Sequence, residues 1–197
     1  MPPKVRVTKK MILDASFDII RKEGHENLTA RRIAEHLGCS TQPVLYNFKT
    51  VDEIREEVYR TADEYHSGYI MPDEKTDQDP LLALGLNYIR FGYEERRLFR
   101  FLFQTNQFGG MNMDALINDP QLSAVIGMMA EGMGCGEAEA REMFLLFFAA
   151  AHGYASLLAN NAMEYDEELS VKMLKTLYDN LFPFQGENYD EEVLRKE

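Results

Sequence analysis

The sequence contains only two cysteines, and they are not arranged for covalent or metal chemistry. Cys39 and Cys135 lie far apart, without a CxxC motif and without a histidine at ligand spacing. This pattern argues against a disulfide framework and against a zinc site, and it predicts free thiols in a reducing cytosol. We therefore expect no metal site and no cofactor.

Motifs for catalysis are also missing. The chain has no G-x-S-x-G, no H-E-x-x-H, no phosphate-binding P-loop and no G-x-G-x-x-G. Of the four histidines, only His152 falls in an apolar helical segment, where a core or pocket-wall role is a simpler interpretation than ligand contact. We expect no catalytic residue and no enzyme. An enzyme with its site in the aromatic C-terminal half stays open as an alternative.

Long uncharged runs are scarce. The longest begins at Met143, and its mainly apolar part, Met143–Ala159, is short for a membrane span and contains His152, Gly153 and Ser156. The basic N-terminal residues lack the apolar run of a signal peptide. We therefore expect a cytoplasmic protein without a membrane partner.

Positive charge is concentrated at one end of an acidic chain. The net charge is −12, yet the first 50 residues carry nine Lys and Arg against five Asp and Glu, a net charge of +4. The remaining residues carry 12 Lys and Arg against 28 Asp and Glu, a net charge of −16. This asymmetry is typical of a basic nucleic-acid-binding segment attached to an acidic domain.

Residues 29–50 have the pattern of two short helices joined by a tight turn. Thr29 is a suitable N-cap for the first helix, and Gly38 follows where that helix needs a left-handed residue to end. Ser40 or Thr41 is suited to cap the second helix, which Val44, Leu45 and Phe48 are suited to anchor. The arrangement is that of a helix-turn-helix, although any small helical hairpin with polar faces shares it.

The residues left to face outward in this segment suit contact with double-stranded DNA. Asn and Gln pair with base edges, Tyr and Thr reach phosphates, and Lys and Arg neutralise them. The predicted DNA-binding residues are Thr29, Arg31, Ser40, Thr41, Gln42, Pro43, Tyr46, Asn47 and Lys49.

Residues 8–54 resemble the N-terminal domain of the TetR family of transcriptional regulators. The matching positions are a first helix over residues 8–23, then Gly24, Leu28-Thr29, Ile33-Ala34, Leu37-Gly38, Ser40, Tyr46, Phe48-Lys49 and Asp52-Glu53-Ile54. Leu45 stands where the family often has a tyrosine, Asn47 where it often has a histidine, and Val51 where it often has a lysine. The resemblance implies DNA binding by this domain and a helical C-terminal domain that binds an effector.

Helical periodicity continues to the end of the chain, and no strand pattern is present. We predict an all-α fold of about nine helices, with a three-helix DNA-binding domain over residues 1–50 and a connecting helix over 51–71. Residues 72–197 form the predicted effector-binding and dimerisation domain. Its helices are expected from Leu81, over 96–104, over 114–132 with an interruption near Pro120, and over 137–160 and 166–182.

Large, adaptable side chains are concentrated in this C-terminal half. Most of them belong to the core, but Met and Phe also line pockets for apolar ligands. Because the resemblance implies an effector pocket here, we name as candidate pocket residues Phe91, Phe99, Phe103, Phe108, Met128, Phe144, Phe148 and His152.

The last two predicted helices are apolar around much of their circumference, and the first of them is rich in small residues. Such helices need cover on more than one face, which a second copy of the chain would supply in a two-fold four-helix bundle. The candidate dimer residues are Ala151, Tyr154, Ala155, Leu158, Leu174, Leu177, Tyr178 and Leu181.

Together these features predict a sequence-specific DNA-binding regulator, most simply a homodimeric repressor released from a palindromic operator by a small, largely apolar ligand. A transcriptional activator of the same fold and a helical ligand-binding protein without DNA function are the alternatives.

Overall fold

The computed structural model describes residues 7–72, 79–106, 112–161 and 163–181, and these contain α-helices and short 3₁₀ turns but no strand. The predicted all-α fold is confirmed. Ten α-helices occur in these ranges: α1 (Lys9–Glu23), α2 (Ala30–His36), α3 (Thr41–Asn47), α4 (Val51–Ile70), α5 (Pro80–Glu94), α6 (Arg96–Phe103), α7 (Met113–Ile117), α8 (Ser123–Met133), α9 (Glu137–Asn160) and α10 (Glu167–Leu181).

The helix number exceeds the predicted nine because one expected helix is divided. A 3₁₀ turn at Pro120–Leu122 separates α7 from α8, at the proline where an interruption was expected. Proline lacks the N–H that would continue the α-helical hydrogen bonds. The C-terminal residues 182–197 lie outside the described residues.

Helix α1 begins and ends at residues suited to those positions. The Thr8 hydroxyl accepts a hydrogen bond from Met11 N–H at 3.2 Å, and Gly24 ends the helix with φ of 101°. A residue with a side chain rarely adopts this φ, so glycine avoids backbone strain here. The buried face of α1, with Ile12, Ile19 and Ile20, packs against α2, α4 and α6.

Helix α4 begins with two capping hydrogen bonds and connects the N-terminal helices to the remainder. The Thr50 hydroxyl accepts from Glu53 N–H at 3.1 Å, and the Glu53 carboxylate accepts from Lys49 N–H at 2.8 Å. Along α4 every fourth residue is buried, in the order Ile54, Val58, Ala62 and His66. This face contacts α1, α5 and α6.

The closest helix packing in the C-terminal half is between α5 and α9. A Cβ atom placed on Gly92 of α5 would lie 2.8 Å from Cβ of Ala155 and 2.9 Å from its Cα. Glycine is therefore required at residue 92, because the two helix backbones approach so closely. Helix α9 also packs against α6, α8 and α10.

By length and composition alone, helix α9 is long and apolar enough to cross a membrane. Its inner side, which includes Phe147, Ala155 and Leu158, is buried among α5, α6, α8 and α10. These contacts are those of the central core helix of a helical domain.

Candidate functional site

The turn between α2 and α3 has the backbone geometry that the sequence predicted. The Thr29 hydroxyl caps α2 by accepting from Arg32 N–H at 3.1 Å, and Gly38 adopts the left-handed conformation with φ of 63°. Ser40 precedes α3, but its side chain makes no capping hydrogen bond. Its hydroxyl is exposed beside Thr41 and is not needed to start the helix.

One side of helix α3 is buried against the protein core, and the opposite side is exposed to solvent. Val44 and Phe48 are fully buried, and the Lys9 ammonium lies 4.8 Å from the centroid of the Phe48 ring. Tyr46 is 87% exposed, more than any other large apolar side chain in the described chain. The sequence interpretation of Leu45 as an anchor was wrong, because it lies on the outer side and is largely exposed.

The exposed side of α3 collects most of the predicted DNA-binding residues. Thr41, Gln42, Tyr46 and Lys49 are exposed, and Pro43 is half-buried. Because these side chains are on one short helix and its C-terminal extension, they form a polar surface that we call the α3 surface. Hydroxyl, amide and ammonium groups on such a surface suit contacts with phosphates and base edges.

Asn47 is positioned differently from these residues. Its side-chain amide donates to the carbonyl of Pro43 at 2.8 Å and to that of Val7 at 3.3 Å. These bonds tie the last turn of α3 to the segment that precedes α1. Asn47 therefore supports the orientation of α3 through its amide N–H groups.

The two adjacent arginines of α2 both contact Glu35 but differ in their other contacts. Arg32 donates two hydrogen bonds to the Glu23 carboxylate, at 2.8 and 2.6 Å, and these bonds lower the pKa of Glu23. Arg31 is almost fully exposed and is paired with Glu35 at 2.9 Å on the same helix. An exposed pair of this kind is weak, so Arg31 can exchange its partner for a phosphate, whereas Arg32 joins α2 to α1.

A buried carboxylate joins α1 to the C-terminal helices. Glu95, between α5 and α6, accepts from Arg21 Nε at 2.8 Å and from the Tyr65 hydroxyl at 3.0 Å, and it also pairs with Arg21 Nη2. The hydrogen bond to Glu95 raises the pKa of Arg21. Nearby, the His25 ring packs edge-on against Phe101 of α6. Glu95 and Phe101 therefore place α6 and the residue before it in contact with α1 and the 3₁₀ turn that follows α1.

Of the predicted pocket residues, some surround Tyr88, some pack beside that group, and two do not belong to either set. Phe99, Phe103, Phe148 and His152 come together around the Tyr88 ring, with centroid distances of 5.7 to 6.1 Å from it. Further residues adjoin this group, since Phe144 stacks on Phe148 and Phe91 packs against Tyr65, His66 and Tyr69. Met128 is 66% exposed, so its assignment to an enclosed pocket was wrong, and Phe108 lies outside the described residues.

Two histidines belong to this aromatic group, and the sequence pointed to only one of them. His152 Nδ1 lies 2.8 Å from the Tyr88 hydroxyl. His66 is buried on α4, where burial lowers its pKa to about 4, so its imidazole is neutral at pH 7. The burial of His66 was indicated in the sequence by its position four residues after Ala62, on the buried face of α4. The charged residues next to it in the sequence pointed instead to an exposed position.

Half of the predicted dimer residues lie inside the protomer. Ala151, Ala155, Leu158 and Leu174 are buried by neighbouring helices of the same chain, so their assignment to a contact with a second copy was wrong. The small residues of α9 instead allow α5 of the same chain to pack closely against it. Tyr154, Leu177, Tyr178 and Leu181 are half-buried, and the Tyr178 hydroxyl donates to Asp79 at 2.7 Å.

The exposed side of α9 carries a different apolar stripe. Leu146, Ala149, Gly153 and Leu157 follow one another at helical spacing and are all exposed. We call this set the α9 stripe. On α10, Leu169 is also exposed and Leu177 is half-buried.

The chain has the fold of a known class of regulator. It is similar to the crystal structure of a TetR-like transcriptional regulator from Rhodococcus sp. RHA1, with a TM-score of 0.62 and 16% sequence identity. The similarity covers 93% of this chain and 100% of that one. No protein-family model and no curated protein matches the sequence. The TetR-like architecture implied by residues 8–54 is therefore confirmed at the level of the fold.

Proposed function

We propose that this chain is a sequence-specific DNA-binding transcriptional regulator, which represses by occupying a palindromic operator and is released by a small, largely apolar ligand. The observation that carries the proposal is the α3 surface within a TetR-like fold. Repression by occlusion requires no chemistry from the protein. The protein would act in the cytoplasm, where its operator is accessible.

The α3 surface suits the major groove of B-DNA. A recognition helix places its N-terminal residues at the base edges and its flanking residues at the phosphates. These positions belong to Thr41 and Gln42 at the start of α3, to Tyr46 near its end and to Lys49 just after it. We assign base contact to Gln42 and phosphate contacts to Tyr46 and Lys49. Thr29 and Arg31, at the start of α2, would contact the backbone beside them.

Charge supports the same orientation of the molecule on DNA. The first 50 residues are basic, and the remaining chain carries a net charge of −16. Attraction to the polyanion is thus restricted to the N-terminal helices, while the acidic C-terminal half is repelled.

Three substitutions test the interface, on a duplex that the protein selects from random DNA. Lys49→Ala should lower the slope of log affinity against log salt by about one per protomer, because one phosphate contact is lost. Tyr46→Ala should weaken binding without lowering the melting temperature, because the side chain is exposed. Gln42→Ala should change the preference for one base pair by roughly 1–3 kcal/mol.

The matched control is Lys172→Ala, which removes an exposed lysine from α10. It should leave both the affinity and the salt slope unchanged. If all three α3 variants bind the selected duplex as the wild type does, the assignment of the α3 surface is wrong.

We also propose that the α9 stripe, with Leu169 and the half-buried Leu177 of α10, packs against a second copy of the chain. An apolar stripe on a helix favours another helix over water, and its small residues permit close approach. A two-fold dimer would present two α3 surfaces to one side of DNA, which accounts for a palindromic operator.

Two side chains that are each 50% exposed, Leu157 and Met113, give a matched pair for this contact. Leu157→Glu should yield monomers with weak operator binding, because it places a charge in an apolar interface. Met113→Glu, on α7 and away from the stripe, should leave the assembly intact. Sedimentation at micromolar concentration measures both, and a monomeric wild-type protein would contradict the proposed dimer.

The release step requires coupling between the aromatic residues and α3. Two elements are available for it: α4, which carries His66 and follows α3 directly in the chain, and the bond between Arg21 and Glu95. A ligand that prefers one arrangement of these helices lowers operator affinity by the same factor by which DNA lowers ligand affinity. Equal ligand affinity with and without operator would contradict this switch.

A further inference from the structure

A buried nitrogen of His66 lacks a hydrogen-bond partner. The ring is packed edge-on against Tyr88, Phe91 and Phe103, with centroid distances of 5.5, 4.8 and 5.1 Å. His66 is only 7% exposed, and Nε2 has no partner among the described residues. Buried polar atoms in folded proteins are rarely left without a partner, so this atom indicates a group that is bound from outside the chain.

Two neighbouring polar groups already bond to each other. The Tyr88 hydroxyl and His152 Nδ1 lie 2.8 Å apart. The two imidazoles and the Tyr88 ring share the neighbour Phe103, whose centroid lies 5.1 Å from His66 and 5.8 Å from His152. We call the set His66, Tyr88, Phe99, Phe103, Phe148 and His152 the aromatic–histidine cluster.

Part of the cluster is accessible to solvent. His66, Tyr88 and Phe99 are buried, whereas Phe103, Phe148 and His152 are half-buried. The half-buried rings belong to α6 and α9. The unpaired nitrogen of His66 is more deeply buried than these rings.

The electrostatics of the cluster select against charged ligands. Burial alone shifts the pKa values of His66, Tyr88 and His152, and no neighbouring charge takes part. Among the described residues, no Lys or Arg stacks on a ring of the cluster. A carboxylate or an ammonium group would lose its hydration here without meeting a counter-charge.

We infer that the cluster binds an uncharged aromatic alcohol or phenol, whose ring packs among Phe99, Phe103 and Phe148 and whose hydroxyl group hydrogen-bonds to Nε2 of His66. A hydroxyl group suits this atom because it both donates and accepts, and therefore pairs with either tautomer of a neutral imidazole. The inference rests on the proposed function, since it names the chemical class of the effector.

Matched probes separate this inference from simple apolar binding. Naphthalene is the more hydrophobic of the pair naphthalene and 2-naphthol, so a purely apolar site prefers naphthalene. A site with a buried hydrogen-bond acceptor or donor prefers 2-naphthol, by roughly three- to tenfold. Titrations of the full-length protein give the two affinities, and phenol and benzene form a smaller pair.

The variant that isolates the nitrogen is His66→Phe, which keeps an aromatic ring in the core. It should bind naphthalene and lose the preference for 2-naphthol. His36→Phe, at an exposed histidine of α2, is the control and should retain that preference. The ¹⁵N resonances of the His66 imidazole, followed by NMR, should move much further on addition of 2-naphthol than on addition of naphthalene, because only 2-naphthol hydrogen-bonds to Nε2.

Three results would overturn the inference: naphthalene binding at least as tightly as 2-naphthol, the same preference in His66→Phe, or a His66 resonance that neither phenol nor 2-naphthol moves. Failure of the proposed switch is a separate result. In that case 2-naphthol would bind through His66 but leave operator affinity unchanged.

Discussion

Substituting Gly92 by alanine should destabilise the protein, although alanine is the better helix former. The added Cβ would lie 2.8 Å from Cβ of Ala155, and 2.9 Å from both its Cα and its carbonyl oxygen. Two of these three atoms are backbone, so α9 must move away from α5 to relieve the overlap. Overpacking of this kind costs about 1–3 kcal/mol, against a gain of at most about 1 kcal/mol from helix propensity.

Gly68→Ala provides the matched control. Gly68 is in the last turn of α4, is exposed, and has no atom within 4 Å of an added Cβ. Only helix propensity acts there, so this variant should be more stable than the wild type by roughly 0.5–1 kcal/mol. The two substitutions should therefore shift the free energy of unfolding in opposite directions from the wild type.

A second substitution resolves the source of the cost. Ala155→Gly in the Gly92→Ala background removes the Cβ contact at 2.8 Å but leaves the two backbone contacts at 2.9 Å. It should restore only part of the lost stability. Urea unfolding followed by circular dichroism, at one protein concentration, gives the free energies. If Gly92→Ala is stabilised as much as Gly68→Ala, the close contact between α5 and α9 does not exist.

Two further predictions concern buried polar groups. Because burial lowers the pKa of His66 to about 4, the unfolded chain binds the proton first as the pH falls. As the pH falls from the unfolded pKa near 6.5 to pH 4, this histidine should therefore lower the free energy of unfolding by about 1.4 kcal/mol per pH unit. His66→Phe should lose that pH dependence, which urea unfolding at a series of pH values measures. For the ion pair of Arg21 with the buried Glu95, a double-mutant cycle on unfolding free energies should give a coupling of about 1–3 kcal/mol. The same cycle on the exposed pair Lys10–Asp14 should give at most about 0.5 kcal/mol, and equal values for the two pairs would refute a structural role for Glu95.

Local sequence signals predicted the start of α2 at Thr29 because the interaction that fixes it is local. Thr8, Thr29 and Thr50 each precede a helix and each cap it with a side-chain oxygen three residues before the bonded N–H. The left-handed Gly38 was identified for the same reason. Together with the resemblance over residues 8–54, these signals were sufficient to predict the all-α fold.

Burial between distant segments was harder to predict. The small residues of α9 correctly indicated a close helix approach, but the approaching helix is α5 of the same chain, through Gly92. A helix that is apolar on all sides gives no local signal of which side a second copy covers. Ala155 was therefore assigned to the wrong contact, and its replacement by arginine would disrupt the core of the protomer instead of separating a dimer.

The environments of His66 and Asn47 also depend on packing. His66 continues the four-residue spacing of the buried face of α4, but the charged residues around it in the sequence concealed this. Asn47 has the chemistry of a base-contacting residue, yet its amide bonds to the carbonyls of Pro43 and Val7. Side-chain chemistry predicts what a residue is able to contact, and tertiary packing decides which of those contacts it makes.

Selection of bound sequences from a random pool of duplex DNA tests the central claim most directly. The proposed function predicts enrichment of a palindromic consensus, with half-sites separated by about one helical turn or a multiple of it. Affinity for that consensus should fall steeply with salt concentration. Recovery of unenriched, random sequences at every round would contradict sequence-specific DNA binding by this protein.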